Sequence, residues 1–275
     1  MTTQQFPARL HLLIPKNHHQ GIVIRRGPSK HVCILGWDRS NDTFTVSQWL
    51  KGRIYERRSD ISPDGKYWIY FAMNGKWDRE AKGSWTAVAF VPWLKAIELY
   101  PKGDCWHGGG LFLDNKTYWL NGDHHEPIIT SKQVTQSKSY QPQHQYGGEC
   151  LNVYYNRLQR DGWKLKSRTR ESWYGQAILE KQLLHGWKIR KICHEQVDSP
   201  PGKGCYWDEH ELHNENGSVI AKSGWEWAEW LDKALFFAQN GCLYKITIPS
   251  SSNLNEEQLI HDFNPYKFEP KQAPY

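Results

Sequence analysis

The chain has 275 residues, with 35 lysines and arginines against 29 aspartates and glutamates, and a mean hydropathy of −0.76. No stretch approaches the ~20 apolar residues that a helix needs to cross a bilayer, which excludes a helical membrane protein. A net charge of +6 is too small to name a partner, although it favours approach to an acidic one.

The opening residues, Met1-Thr2-Thr3-Gln4-Gln5-Phe6-Pro7, lack the basic start and apolar run of a secretory signal. The six cysteines are scattered and form no Cys-x-x-Cys pair, as expected of free thiols in a reducing compartment. The expectation is therefore a cytoplasmic location. Fifteen tryptophans are the unusual number, and they predict aromatic packing between sheets rather than a binding groove.

In chain order, residues 9–14, 21–25, 31–37 and 43–50 read as strands, with a Gly27-Pro28-Ser29 turn between the second and third. Four strands in about forty residues match one blade of a β-propeller. Residues 66–73 form the strongest strand. Residues 85–90 and 94–100 follow as strands, and a short helix over 93–100 is left open because Ala96, Leu99 and Tyr100 also suit a helical stripe. Leu111-Phe112-Leu113 and 116–120 make a hairpin about Asp114-Asn115. Gly108-Gly109-Gly110 lacks the strand–helix context of a phosphate loop and predicts a close approach of backbone to an aromatic ring.

Residues 123–149 are polar and read as a long loop or linker. The second half restarts at 151–155, read with the strands, and continues with a strand over 162–170. A hairpin turning at His185-Gly186 is preferred for 177–192, with a helix over 177–184 as the second reading. Residues 205–213 and 218–220 flank a turn at 214–217.

Two segments repeat a pattern of turn, aromatic strand and Ala-x-Asn-Gly: 60–75 and 230–244. Ser62-Pro63-Asp64-Gly65-Lys66 with the aromatic strand after it resembles the WD40-like repeat of TolB-type β-propellers. Trp-Asp pairs occur at Trp37-Asp38, Trp77-Asp78 and Trp207-Asp208. Segments 84–113 and 224–248 are similar to parts of uncharacterised Trp-rich bacterial proteins, which bring no known active site. The sialidase box Ser-x-Asp-x-Gly-x-Thr-Trp fails on spacing, because Gly65 follows Asp64 directly. These features predict a single all-β domain over 1–275, a propeller of about five blades, with two packed β domains as the alternative. Ring closure predicts that the strand at 10–14 shares a sheet with the strand at 242–248. Trp68, Trp119 and Trp187 are expected in strands and buried.

No nucleophile elbow, P-loop or His-Glu-x-x-His occurs. His210 and His213 fall on opposite faces of a strand, so they do not form a chelating pair. Cys105-Trp106-His107, His18-His19 and His124-His125 offer no complete ligand set. No metal and no cofactor is expected. The one sharp charge pattern is Lys164, Lys166, Arg168 and Arg170, which alternate along a strand and predict four cations on one face. Such a row needs solvent or an anionic partner. The leading expectation is a non-catalytic bacterial binding protein that meets another protein, an acidic one on this strand. An immunity or inhibitor protein that covers a toxin is its specific version. A hydrolase or lyase with a central-channel site, a carbohydrate-binding module and a nucleic-acid binder are the alternatives.

Overall fold

The computed structural model describes residues 6–27, 30–201, 203–250 and 254–275. Two strand patterns occur: near-continuous apolar runs that are buried on both faces, as in 67–73 and 84–90, and runs of period two that bury one face of a pleated ribbon, as in 188–196. Sheet 1 contains β1 (Arg9–Leu13), β2 (Gln20–Arg26), β3 (His31–Asp38) and β4 (Thr43–Lys51), in sequence order. In sheet 2, β5 (Arg53–Ile54) and β6 (Asp60–Ile61) both pair with β7 (Tyr67–Met73), followed by β8 (Ser84–Phe90) and β9 (Ala96–Pro101). Sheet 3 contains β10 (Gly110–Phe112), β11 (Thr117–Leu120) and β12 (Thr135–Gln136). Sheet 4 contains β13 (Lys164–Glu171), β14 (Tyr174–Gln182), β15 (Lys188–Gln196), β16 (Tyr206–His213) and β17 (Val219–Lys222). Sheet 5 contains β18 (Trp227–Leu231), β19 (Ala234–Gln239), β20 (Cys242–Ile246) and β21 (Gln258–Asp262). The chain is all-β, with one α-helix among the described residues, α1 (Leu151–Arg160).

The chain divides into two compact units, one holding His11–Asp161 and Tyr266–Tyr275, the other Pro7–Leu10 and Gly162–Pro265. In the first unit, sheet 2 is covered on both faces. Trp68, Tyr70, Ala72, Trp85, Ala87 and Ala89 pack with Ile22, Ile24, Val32 and Ile34 of sheet 1. The alternate residues Tyr67, Ile69 and Val88 pack with Phe112, Tyr118 and Leu120 of sheet 3. The far face of sheet 3 offers Leu111 and Trp119 to Val153 of α1. In the second unit, one face of sheet 4 lies against sheet 5. Lys181 of β14 and Glu229 of β18 form an ion pair between them, the Trp163 indole N–H before β13 donates to Glu229 at 2.9 Å, and Trp225, between β17 and β18, stacks on Phe237 at 4.0 Å.

Several expectations change. β1 and β20 lie in separate sheets, so the chain is not closed by pairing its two ends. Each set of consecutive strands instead completes its own sheet. Residues 151–155 open a helix: Leu151, Tyr154, Tyr155 and Leu158 are buried at helical spacing. Residues 96–101 and 174–182 are strands, which removes both helical second readings. Trp68 and Trp119 are buried in strands, whereas Trp187 is buried in the turn just before β15. Pro28 and Ser29 of the expected first turn lie outside the described residues. Residues 123–149 run mostly as turns and coil, with β12 pairing parallel to β11.

The glycine run behaves as read. A Cβ on Gly108 would collide with the ring of Phe71, and its φ of +81° favours glycine in any case.

Candidate functional site

Sheet 4 has two unlike faces. Cross-strand register puts Ala177, Leu179, Ile189, Lys191, Cys193, Asp208, His210 and Leu212 on a buried inner face. The alternate residues Gln176, Ile178, Ile192, His194, Trp207 and Glu209 form an outer face that is half-exposed. A sheet covered on both sides reads as near-continuous apolar sequence, and these strands do not.

The outer face is itself divided. At one end, Tyr174 pairs with Gln196, and Gln176 pairs with His194, which pairs with Trp207. The His194 ring stacks on Trp207 at 4.6 Å, with 11° between the planes, and its Nε2 meets Glu209 at 3.1 Å. Trp173 stands in the β13–β14 turn with 73% of its surface exposed. The Val197 N–H donates to the Trp173 carbonyl at 3.2 Å, and the Val197 side chain is 55% exposed. Tyr174 is exposed at 40%. This end is aromatic, apolar and amide-bearing.

The opposite end is ionic. Arg190 donates to Glu180 at 2.8 Å and to Glu211 at 3.3 Å, and Lys188 and Lys166 approach Glu180 at 3.5 and 3.9 Å. Burial pushes the Glu180 carboxyl up, but the Arg190 hydrogen bond and the charges of Lys188, Arg190 and Lys166 outweigh it and hold it below its ordinary value.

The expected row of four cations is not co-facial. The β13–β14 register slips between Leu165 and Ser167, so Lys166 is the extra residue of a β-bulge. Lys164 opposes Glu180, and Lys166 also reaches Glu180. Beyond the bulge the faces exchange, since a one-residue slip turns every later side chain over. Arg168 therefore opposes Ala177 on the inner face and grips both oxygens of Glu195 at 3.1 Å. Arg170, exposed, opposes Gly175. A Cβ on Gly175 would lie 2.9 Å from Glu195 Oε2, so glycine leaves room for this clamp. Lys164 and Lys166 belong to the ionic end, and Arg168 and Arg170 to the side of the sheet facing away from it.

The inner face carries a polar network that sequence reading missed. Lys191 Nζ lies 2.8 Å from His210 Nε2, 3.9 Å from an Asp208 oxygen and 4.8 Å from the Trp163 ring centre. Because an ammonium can only donate, His210 accepts at Nε2 and donates from Nδ1 to the Trp225 carbonyl at 3.1 Å, which describes a neutral ring. His210 and Lys191 are each 1% exposed, so this histidine is a core residue. His213 points to the outer face and bonds Glu211 at 2.9 Å, so the two histidines do diverge. In sequence His210 is flanked by Glu209 and Glu211, so nothing local marks it as buried; its partners come from the neighbouring strand β15 and from Trp225 beyond β17.

Two of the remaining histidine and cysteine groups have defined contacts inside the first unit. His124 accepts or donates to Thr86 Oγ1 at 2.7 Å and meets the Gly122 carbonyl at 2.9 Å. Arg58 donates to Cys150 Sγ at 3.2 Å. Among the described residues, no three His, Cys, Asp or Glu side chains gather to hold a metal ion. No helix of the described residues is long and apolar enough to cross a membrane. The chain matches no protein-family model and no curated protein.

Proposed function

We propose that the protein is a non-catalytic binding protein and that it captures a protein partner on the outer face of sheet 4. The observation that carries this reading is the co-facial set Tyr174, Gln176, His194 and Trp207, with Trp173 and Val197 at its rim. Aromatic side chains with few charges mark the energetic centre of protein interfaces, because they bury area at low entropic cost. The His194–Glu209 pair at 3.1 Å lies on an open, half-exposed sheet face rather than converging on a substrate-sized cleft, which favours binding over a hydrolase or lyase site. An immunity or inhibitor protein that covers a bacterial toxin in the cytoplasm remains the specific version.

The propeller reading is supported by five sheets, each built from one stretch of chain. Against ring closure stand the separate sheets of β1 and β20 and the half-exposed face of sheet 4. Because the bulge splits the four cations, the acidic-partner and nucleic-acid forms of the basic-strand hypothesis lose their footing.

The test is comparative capture. Full-length protein and its Trp173→Ala/Tyr174→Ala variant are used as bait on extract from the source organism, with mass spectrometry as the readout. A protein retained by the wild type and by Lys164→Glu/Lys166→Glu, but lost by the aromatic variant, supports the reading. Identical capture by all three baits defeats it. Loss only in the charge variant would return the site to the basic strand. Binding should persist as salt rises, because hot-spot aromatics act mainly on dissociation while rim charges act on encounter.

A further inference from the structure

In the first unit, Tyr266–Tyr275 runs without strand or helix across β4 and the β8–β9 corner. β4 is an edge strand with β3 as its sheet neighbour. An open edge presents unpaired backbone groups and invites another chain, so its covering is a feature that needs a cause.

Three side chains hold this segment, at spacings of three and four residues. Phe268 lies 5.5 Å from the His31 ring and edge-on to Trp49 at 6.0 Å, with Lys51 Nζ 4.6 Å above it. Lys271 Nζ donates to the Val46 carbonyl at 2.8 Å, and Gln48 Nε2 donates back to the Lys271 carbonyl at 3.0 Å. The Tyr275 hydroxyl donates to the Lys95 carbonyl, and its ring meets Phe90 edge-on at 4.8 Å under the Lys95 ammonium at 5.0 Å. Gln48 also accepts from the Leu94 and Lys95 N–H groups through Oε1, so the receiving groove is built by β4 and this corner together.

The groove is organised, but its occupant is lightly held. Phe268 is 40% exposed, and Lys267, Glu269, Pro270, Lys271, Gln272 and Pro274 are exposed. Segments with little buried area open at a small fraction of the global unfolding free energy. Pro270 and Pro274 restrict the backbone of the released segment, so less conformational freedom is lost on rebinding.

We propose that the β4 edge is a peptide-docking groove that takes residues 266–275 of a second copy of this chain, and that the same segment closes it in cis when the protein is dilute. The complementarity needs no invention, because groove and ligand are both present: an aromatic slot between His31, Trp49 and Lys51, a backbone carbonyl for the lysine, and a tyrosine seat at Lys95. Exchange of an identical element between copies is a low-cost route to a dimer. The cis segment competes at an effective concentration on the order of millimolar, so exchange belongs to high local concentration.

The experiment uses the full chain and a fluorescent peptide with the sequence of residues 266–275, read by anisotropy. Wild type captures the peptide weakly, because its own segment occupies the groove. Phe268→Ala/Tyr275→Ala frees the groove and captures the peptide at least tenfold more tightly. Adding His31→Ala/Lys51→Ala to that variant, on the groove side, returns capture to the weak level. Equal capture by wild type and the double variant, or indifference to the groove substitutions, overturns the proposal. Sedimentation of the wild-type chain is a mutation-free second readout. A dimer that grows toward about 1 mM and is dispersed by excess peptide supports it. A chain that stays monomeric there, or a dimer indifferent to the peptide, overturns it.

Discussion

Sheets 2 and 4 are both antiparallel and built from consecutive strands, yet they are covered differently. In sheet 2 both faces are covered: Trp68 and Tyr67 are adjacent in sequence, point opposite ways, and are both buried. In sheet 4 the adjacent Lys191 and Ile192 also point opposite ways, but the lysine is 1% exposed and the isoleucine is half-exposed. The lysine goes inside because His210, Asp208 and Trp163 receive it there. Burial in this molecule follows which face has a neighbour, and polarity is accommodated afterwards by partners. A covered sheet contributes stability, and an open one is available for binding.

The sharpest way to break this contrast is to truncate in sheet 2. Trp68 is fully buried, with its indole N–H donating to the Trp93 carbonyl at 2.7 Å, so Trp68→Ala should cost about 3–5 kcal/mol. Urea unfolding of the variant should show an early transition, and an unchanged midpoint would contradict the double-covered description. Next is the inner face of sheet 4. His210→Leu leaves the buried Lys191 ammonium without its histidine acceptor and should cost about 3 kcal/mol. Pairing it with Lys191→Met should recover much of that loss. If the double variant is the sum of the two singles, the network is not acting as a unit.

Acid should test the first unit through two groups. Burial raises the Glu56 carboxyl, but the charges of Arg26, Arg57 and His11 prevail and bring it down to about 2. A depressed carboxylate contributes stability above its unfolded value, and that contribution is lost as pH falls through the range of about 4 to 2. Burial lowers His124 to about 4. The folded state then holds fewer protons than the unfolded one, so its contribution is complete above about pH 6.5 and is lost between there and pH 4. His124→Asn should flatten the upper part of the stability–pH curve, and Glu56→Gln the lower part. An unaltered curve in either variant would remove that group from the account. The smallest effects belong to the open face. Trp173→Ala and Ile192→Ala should move the unfolding midpoint little, Trp173→Ala by less than about 0.5 kcal/mol. A large loss at Trp173 would mean that the turn supports the fold and is not a docking element.

Local pattern made much of the fold legible. The apolar runs at 31–37 and 66–73, the alternation in 43–50, and the turns at Asp114-Asn115 and Asn240-Gly241 are local features, set by strand geometry and by backbone that needs positive φ, as at Asn240 and Gly241. The close approach at Gly108 was legible for the same reason. Helix α1 was missed because Leu151-Asn152-Val153-Tyr154-Tyr155 is rich in strand-favouring residues, and helical spacing appears only when Leu158 is counted with Leu151, Tyr154 and Tyr155. The bulge at Lys166 leaves no compositional trace, yet it sends the two lysines and the two arginines to different faces. The cover on sheet 2, the half-exposure of Trp207, the burial of Lys191 and the segment laid over β4 all depend on residues distant in sequence. Periodicity along one strand states that two faces differ; which face meets a neighbour is a property of the packed chain, because burial is a relation between elements.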